Sequence, residues 1–147
     1  MKRLFSVDHV SKNIDVALLI SRLGIAGLML THGIPKLQRL NESPVKFMDF
    51  LGMGETVSLG LVIVAEVVCS IFILLGLGTR LAVIPIMITM LVAVFHVHGA
   101  DPFAKQEMGL HFLLVYVFLL IMGSGKYSMD NLLLAKATPD YPLQKQV

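Results

Sequence analysis

The stretch TVSLGLVIVAEVVCSIFILLGLGT, residues 56–79, carries one formal charge, Glu66, in an otherwise apolar run. A membrane helix needs about 20 mostly apolar residues, and this run supplies them before the Gly76-Leu77-Gly78 punctuation stops it. Residues 16–35 repeat the form, with Arg22 as the single formal charge. A charge at the bilayer centre costs roughly 2.5–3.5 kcal/mol on insertion scales. Two such charges need compensation, and the simplest is that Arg22 and Glu66 face each other as an intramembrane ion pair.

Working outward, four blocks are long and apolar enough to span: 16–34, 57–77, 81–98 and 108–123. Pro35 is expected to end the first, because proline disfavours helix in the residue before it. Pro85 inside the third is tolerable where neighbours satisfy the freed carbonyl. The fold class is therefore an all-α integral membrane four-helix bundle, one membrane domain over residues 1–147. The first block does not read as a cleaved signal peptide, since Arg22 interrupts its apolar centre. Composition agrees: 56% of residues are hydrophobic and 15% charged, against about 45–50% and about 25% in soluble domains. A net charge of +2 offers no broad basic surface for nucleic acid. Cys69 is the sole cysteine, so an intrachain disulfide is excluded and a small packing role is expected.

Four spans put both ends of the chain on one side. Lys2, Arg3, Lys12, Arg80, Lys126, Lys136 and Lys145 fall there, against Lys36, Arg39, Lys46 and Lys105 opposite. The excess of basic residues predicts cytoplasmic termini. Between the first two spans, Ser43-Pro44 has the form of a helix start, and Phe47, Phe50 and Leu51 share a helical face. Residues 44–51 are thus expected to form a short interfacial or re-entrant helix. Ser128 is placed to cap a short helix running to Ala137. Residues 138–147, with two prolines, are expected to be a disordered tail. Gly24 and Gly27 are expected to admit a close helix neighbour.

A second polar level gathers His32, His96, His98, Glu107 and His111, with Lys36 and Asp101 in the adjoining loops. Imidazoles beside a carboxylate suit metal or haem ligation, and equally proton exchange with a quinone headgroup. No zinc-ribbon or HExxH spacing is present. The cofactor stays open, with quinone ahead of haem or metal; no metal ligand is assigned, and no motif marks a catalytic residue. Interfacial structure alone is the competing reading of these histidines.

Taken in order, the landmarks resemble the DoxX family of small four-helix membrane proteins. They are Arg22, the run His32-Gly33-Ile34-Pro35-Lys36-Leu37, Glu66, and Leu75-Gly76-Leu77-Gly78-Thr79-Arg80. His96, Glu107 and the run Gly123-Ser124-Gly125-Lys126-Tyr127-Ser128-Met129-Asp130 follow. The resemblance covers residues 14–132 and implies a bacterial cytoplasmic-membrane protein. Some relatives are associated with thiosulfate oxidation coupled to quinone, or with a membrane complex for oxidative-stress defence. It implies polar roles for Arg22, His32, Lys36, Glu66, Arg80, His96 and Glu107, but not for His98 or His111. An Arg80–Asp130 contact and a reach of Lys36 towards Glu107 are expected. The expected partners are membrane lipids, a soluble redox protein and further copies of the chain, with no nucleic acid. Small-molecule or proton transport, and a non-catalytic scaffold, are the alternatives to the redox reading.

Overall fold

The computed structural model describes residues 11–137. The expected tail at 138–147 lies outside them. The described residues form five helices: α1 Ser11–Arg39, α2 Glu55–Leu75, α3 Thr79–Val97, α4 Phe103–Met122 and the short α5 Met129–Ala137. The first four are long and apolar enough to cross a membrane, and no strand occurs among the described residues. They run alternately up and down. One end of the bundle, here the turn end, carries the 76–78 turn and α5. The other, the loop end, carries the 40–54 and 98–102 connections.

Apolar residues split between the inside and the perimeter. Ala26, Met29, Ile73, Val83, Ile86, Tyr116 and Leu119 form the buried core. Ile20, Leu61, Leu81, Leu114 and Ile121 point outward and are more than half exposed. In water that surface would be costly; against lipid tails it is not, and packing between helices must then come from close contact and polar bonds.

The turn between α2 and α3 follows the expected punctuation. Gly76 has φ 71°. The Gly76 N–H donates to Ile73 O at 3.1 Å and the Leu77 N–H to Phe72 O at 2.8 Å, which is the Schellman closure of a helix C-terminus. Ser128 caps α5 as expected: its Oγ accepts the Asn131 N–H at 3.3 Å. Thr89 Oγ1 bonds back to Pro85 O within α3.

Three local expectations fail. Helix α1 does not stop at Pro35 but continues to Arg39. Proline frees only the carbonyl four residues back, that of Thr31, and both residues are exposed, so solvent or headgroups can serve it. Residues 44–51 form no helix. Side chains organise the segment instead: Asp49 Oδ1 accepts the Gly54 N–H at 2.8 Å, and Ser58 Oγ accepts the Phe50 N–H at 3.0 Å. Leu51 at φ 57° and Gly52 at φ 74° break any helical run.

The third concerns the close-packing glycines. A Cβ on Gly24 or Gly27 would meet nothing within 4 Å, whereas one on Gly33 would lie 2.8 Å from Val67 Cγ2 and 3.0 Å from Glu66 Cβ. Gly33 is therefore where α1 and α2 approach, and that contact sets their register. Gly33→Ala should destabilise the bundle by about 1–3 kcal/mol, the range for overpacking. Gly24→Ala should be neutral within about 0.5 kcal/mol. Thermal unfolding in detergent measures both, and equal effects would show that Gly33 does not set the contact.

Candidate functional site

Glu66 sits within a π-helical stretch of α2, Val64–Cys69. Such wide turns shift helix phase and recur at functional sites. Here Ala65, Glu66, Cys69 and Ser70 are all buried. The Glu66 carboxylate is 2% exposed and accepts from Lys36 Nζ at 2.5 and 2.6 Å. The expected pair of Arg22 with Glu66 is therefore not made. Gly33 is level with Glu66, and Arg22 lies eleven residues further along α1, about 16 Å away. It is level instead with the turn at Gly76. The expectation placed both charges at span centres and took α1 to end at Pro35; the added turn of helix brings Lys36 back onto the bundle, one helical turn beyond Gly33.

Arg22 is fully buried. It donates to Tyr127 O at 2.5 Å and to Ile73 O at 3.5 Å. A Cβ on Gly76 would lie 1.8 Å from its Nη1, so glycine at that turn makes room for the guanidinium as well as for positive φ. The same end is clamped twice more. Asp15 Oδ1 accepts the Lys126 N–H at 2.9 Å, and Asp130 Oδ1 accepts the Gly78 N–H at 2.9 Å. Arg80 donates to Ile121 O at 3.1 Å, at the end of α4. The expected Arg80–Asp130 contact is replaced by these separate backbone bonds, because both side chains find unpaired helix-end and turn groups first. Asp15 was not singled out from sequence. It lies seven residues before Arg22 on the buried face of α1, which helical periodicity reveals only once Arg22 is known to face inward.

At the loop end a cavity of about 200 Å³ opens between the helices. Its polar wall is His32, Lys36, Glu66, His98 and Lys105; its apolar wall includes Met29, Met90, Met108 and Phe112. The His32 ring stands edge-on to Phe112, centroids 5.6 Å apart. His98 Nδ1 is 2.8 Å from Asp101 Oδ2, and Lys105 Nζ is 3.4 Å from the same oxygen. Gln106 Nε2 donates to His98 O at 2.8 Å, closing the 98–102 loop. Lys105 was read only as a loop charge; its place on the cavity wall follows from where α4 begins.

The polar level divides. His32, Lys36 and His98 meet Glu66 in this cavity. His96 does not line it: it is exposed, with its ring against Phe50. Glu107 and His111 are exposed and border a separate open groove with Ile25, Leu28 and Val115. Lys36 therefore reaches Glu66 and not Glu107. Among the described residues, no three His, Cys, Asp or Glu side chains gather to hold a metal ion.

The DoxX family model matches residues 17–99, just over half of the chain. The chain belongs to the DoxX family. It is 32% identical to an uncharacterized membrane protein of Mycobacterium tuberculosis, covering 67% of this chain and 76% of that one. It is 29% identical to an uncharacterized protein of Haemophilus influenzae, over 85% of this chain and 96% of the relative. No solved structure matches. The DoxX match spans α1 to α3 and so includes Arg22, His32, Lys36, Glu66, Arg80, His96 and His98. Glu107, His111 and Asp130 lie beyond it.

The loop beside the cavity carries a pH prediction. His98, and after it Lys105, hold the Asp101 carboxyl below its ordinary value of 3.8. A depressed carboxylate contributes stability above its unfolded value and loses it as pH falls through the folded one. The protection of the amides across residues 98–106, relative to the unstructured chain at each pH, should therefore hold from neutral pH down to about 4 and fall below it. Asp101→Asn should exchange faster already at neutral pH; slow exchange in that variant would remove Asp101 from the loop's support.

Proposed function

We propose that this DoxX membrane protein serves a quinone-linked redox process as a membrane subunit or accessory, with a quinone headgroup held at the loop-end cavity. The observation that carries the reading is that the Lys36–Glu66 pair lines one cavity together with His32, His98, methionines and Phe112. A quinone ring presents two oxygens on an apolar body. Ligand sites of this kind are mostly apolar with a few placed polar groups. The volume is below the roughly 300–1,000 Å³ of pockets for drug-sized ligands, and so suits a single ring with its tail left in the lipid. When bound, a quinone would supply two-electron chemistry with two protons. Lys36, His32 and His98 have N–H groups for its oxygens, and Glu66 can take or give a proton at one of its carboxyl oxygens. The family resemblance adds the quinone association of some relatives.

The orientation belongs to the same proposal. Cytoplasmic termini in a bacterial inner membrane would place the cavity towards the opposite face. Purification in mild detergent, extraction and mass spectrometry should find quinone with the wild-type protein and less with Lys36→Met. Absence of quinone, with no haem in the visible spectrum and no quinone-dependent activity in membranes, would reject the reading.

Proton transfer through the bundle is a second reading, favoured by one observation. Below Glu66 lie two buried hydroxyls, Ser70 and Tyr116, close enough to interact with each other, and Tyr116 feels the Glu66 charge. Proton flux in liposomes that disappears in Glu66→Gln would support it. Flux unchanged by that substitution would remove Glu66 from any relay.

A further inference from the structure

The turn end holds a second, larger pocket that the proposed function does not use. It is open, has a volume of about 620 Å³, and lies between the start of α3, the loop after α4, and α5. Two opposite charges stand on its wall, Arg80 and Asp130. Arg80 is exposed and lies across Gly123, where an added Cβ would sit 3.2 Å from its Nε. Among the described residues one of its nitrogens is engaged, with Ile121 O. Asp130 uses Oδ1 for the Gly78 N–H, which leaves Oδ2 to accept from another donor. Thr79 completes the polar part: it is 1% exposed, lines the pocket, and its hydroxyl has no hydrogen-bond partner among the described residues. The rest of the wall is apolar, and Leu81 and Leu133 are 75% and 51% exposed.

We propose that this pocket binds a phospholipid whose head carries both a phosphate and a primary ammonium. Guanidinium groups recognise phosphate through paired N–H donors, and among the described residues Arg80 keeps donors that no carbonyl uses. The Asp130 carboxylate is the matching acceptor for an ammonium with N–H groups. One cation and one anion on the wall fit a zwitterion. A purely anionic head would meet Asp130 unfavourably, and a quaternary ammonium has no N–H to give it. Leu81 and Leu133 face where acyl chains leave the head. The inference does not rest on the quinone reading, since the pocket is at the other end of the bundle.

The test is a binding titration of the delipidated full-length protein in detergent, followed by native mass spectrometry. The probes are short-chain phosphatidylethanolamine, phosphatidylcholine and phosphatidylglycerol, with free phosphoethanolamine as the soluble arm. Phosphatidylethanolamine should bind about ten-fold more tightly than phosphatidylcholine, the size of one charge-assisted hydrogen bond. Free phosphoethanolamine should bind more weakly than either lipid. Asp130→Asn keeps an oxygen for the Gly78 N–H, so the fold should persist while the preference over phosphatidylcholine collapses. Arg80→Gln keeps a donor for Ile121 O and should weaken all three lipids. Equal binding of the ethanolamine and choline lipids by the wild type overturns the proposal with no variant needed. So does a preference that survives in folded Asp130→Asn. Free phosphoethanolamine binding as tightly as the lipid would overturn the role of the acyl chains.

Discussion

Arg22→Ala should lower the thermal midpoint in detergent by roughly 10 °C, the equivalent of about 3–5 kcal/mol for a chain of this size. Arg22 is fully buried and ties three pieces of chain together: α1, the end of α2 through Ile73 O, and the segment before α5 through Tyr127 O. Hydrogen bonds from a charged donor contribute about 1.5–3 kcal/mol each. Truncation removes both and leaves a cavity whose walls relax only in part. The loss is local as well as global, so amide exchange over residues 123–137 should rise more than over α3. Arg22→Lys should recover only part of the stability, because one ammonium lacks the planar fork that reaches two carbonyls. A midpoint within about 2 °C of wild type for Arg22→Ala would show that α5 docks without it.

Lys36→Met should be nearly as damaging, for a different reason. It leaves the Glu66 carboxylate, 2% exposed, without its ammonium. Removing one partner of a buried pair costs about 3–5 kcal/mol, whereas replacing both by apolar groups is often neutral. Lys36→Met combined with Glu66→Leu should therefore be more stable than Lys36→Met alone. The coupling from the four unfolding midpoints isolates the pair. A double variant as unstable as the single one would mean that Lys36 acts through something other than Glu66. The same double variant separates stability from ligand binding: a folded bundle that retains no quinone would place the pair in the site and not merely in the scaffold.

Much of the architecture was legible because hydrophobic blocks and glycine punctuation act locally. The 57–77 block, the stop at Gly76, and the Ser128 cap depend on residues within a turn or two of each other. Pro35 misled because its penalty is a single carbonyl, small where solvent can reach it. Residues 44–51 misled because their apolar spacing matched a helix, while Asp49, Ser58 and Glu55 bind the backbone N–H groups of Gly54, Phe50 and Phe47 in a non-helical path.

The polar residues show where local reading stops. The sequence alone determined that Arg22 and Glu66 are buried charges needing partners, that four helices cross, and that histidines gather near one end. Only the tertiary structure decided the partners: carbonyls for Arg22, Lys36 for Glu66, and a cavity that takes His32 and His98 but leaves His96, Glu107 and His111 outside. The physical reason is register. Hydropathy reads each helix along its own axis, but the offset between neighbours is set by backbone approach, here Gly33 against Glu66 and Val67. That approach leaves Arg22 about 16 Å, the length of eleven helical residues, away from the acid it was expected to meet.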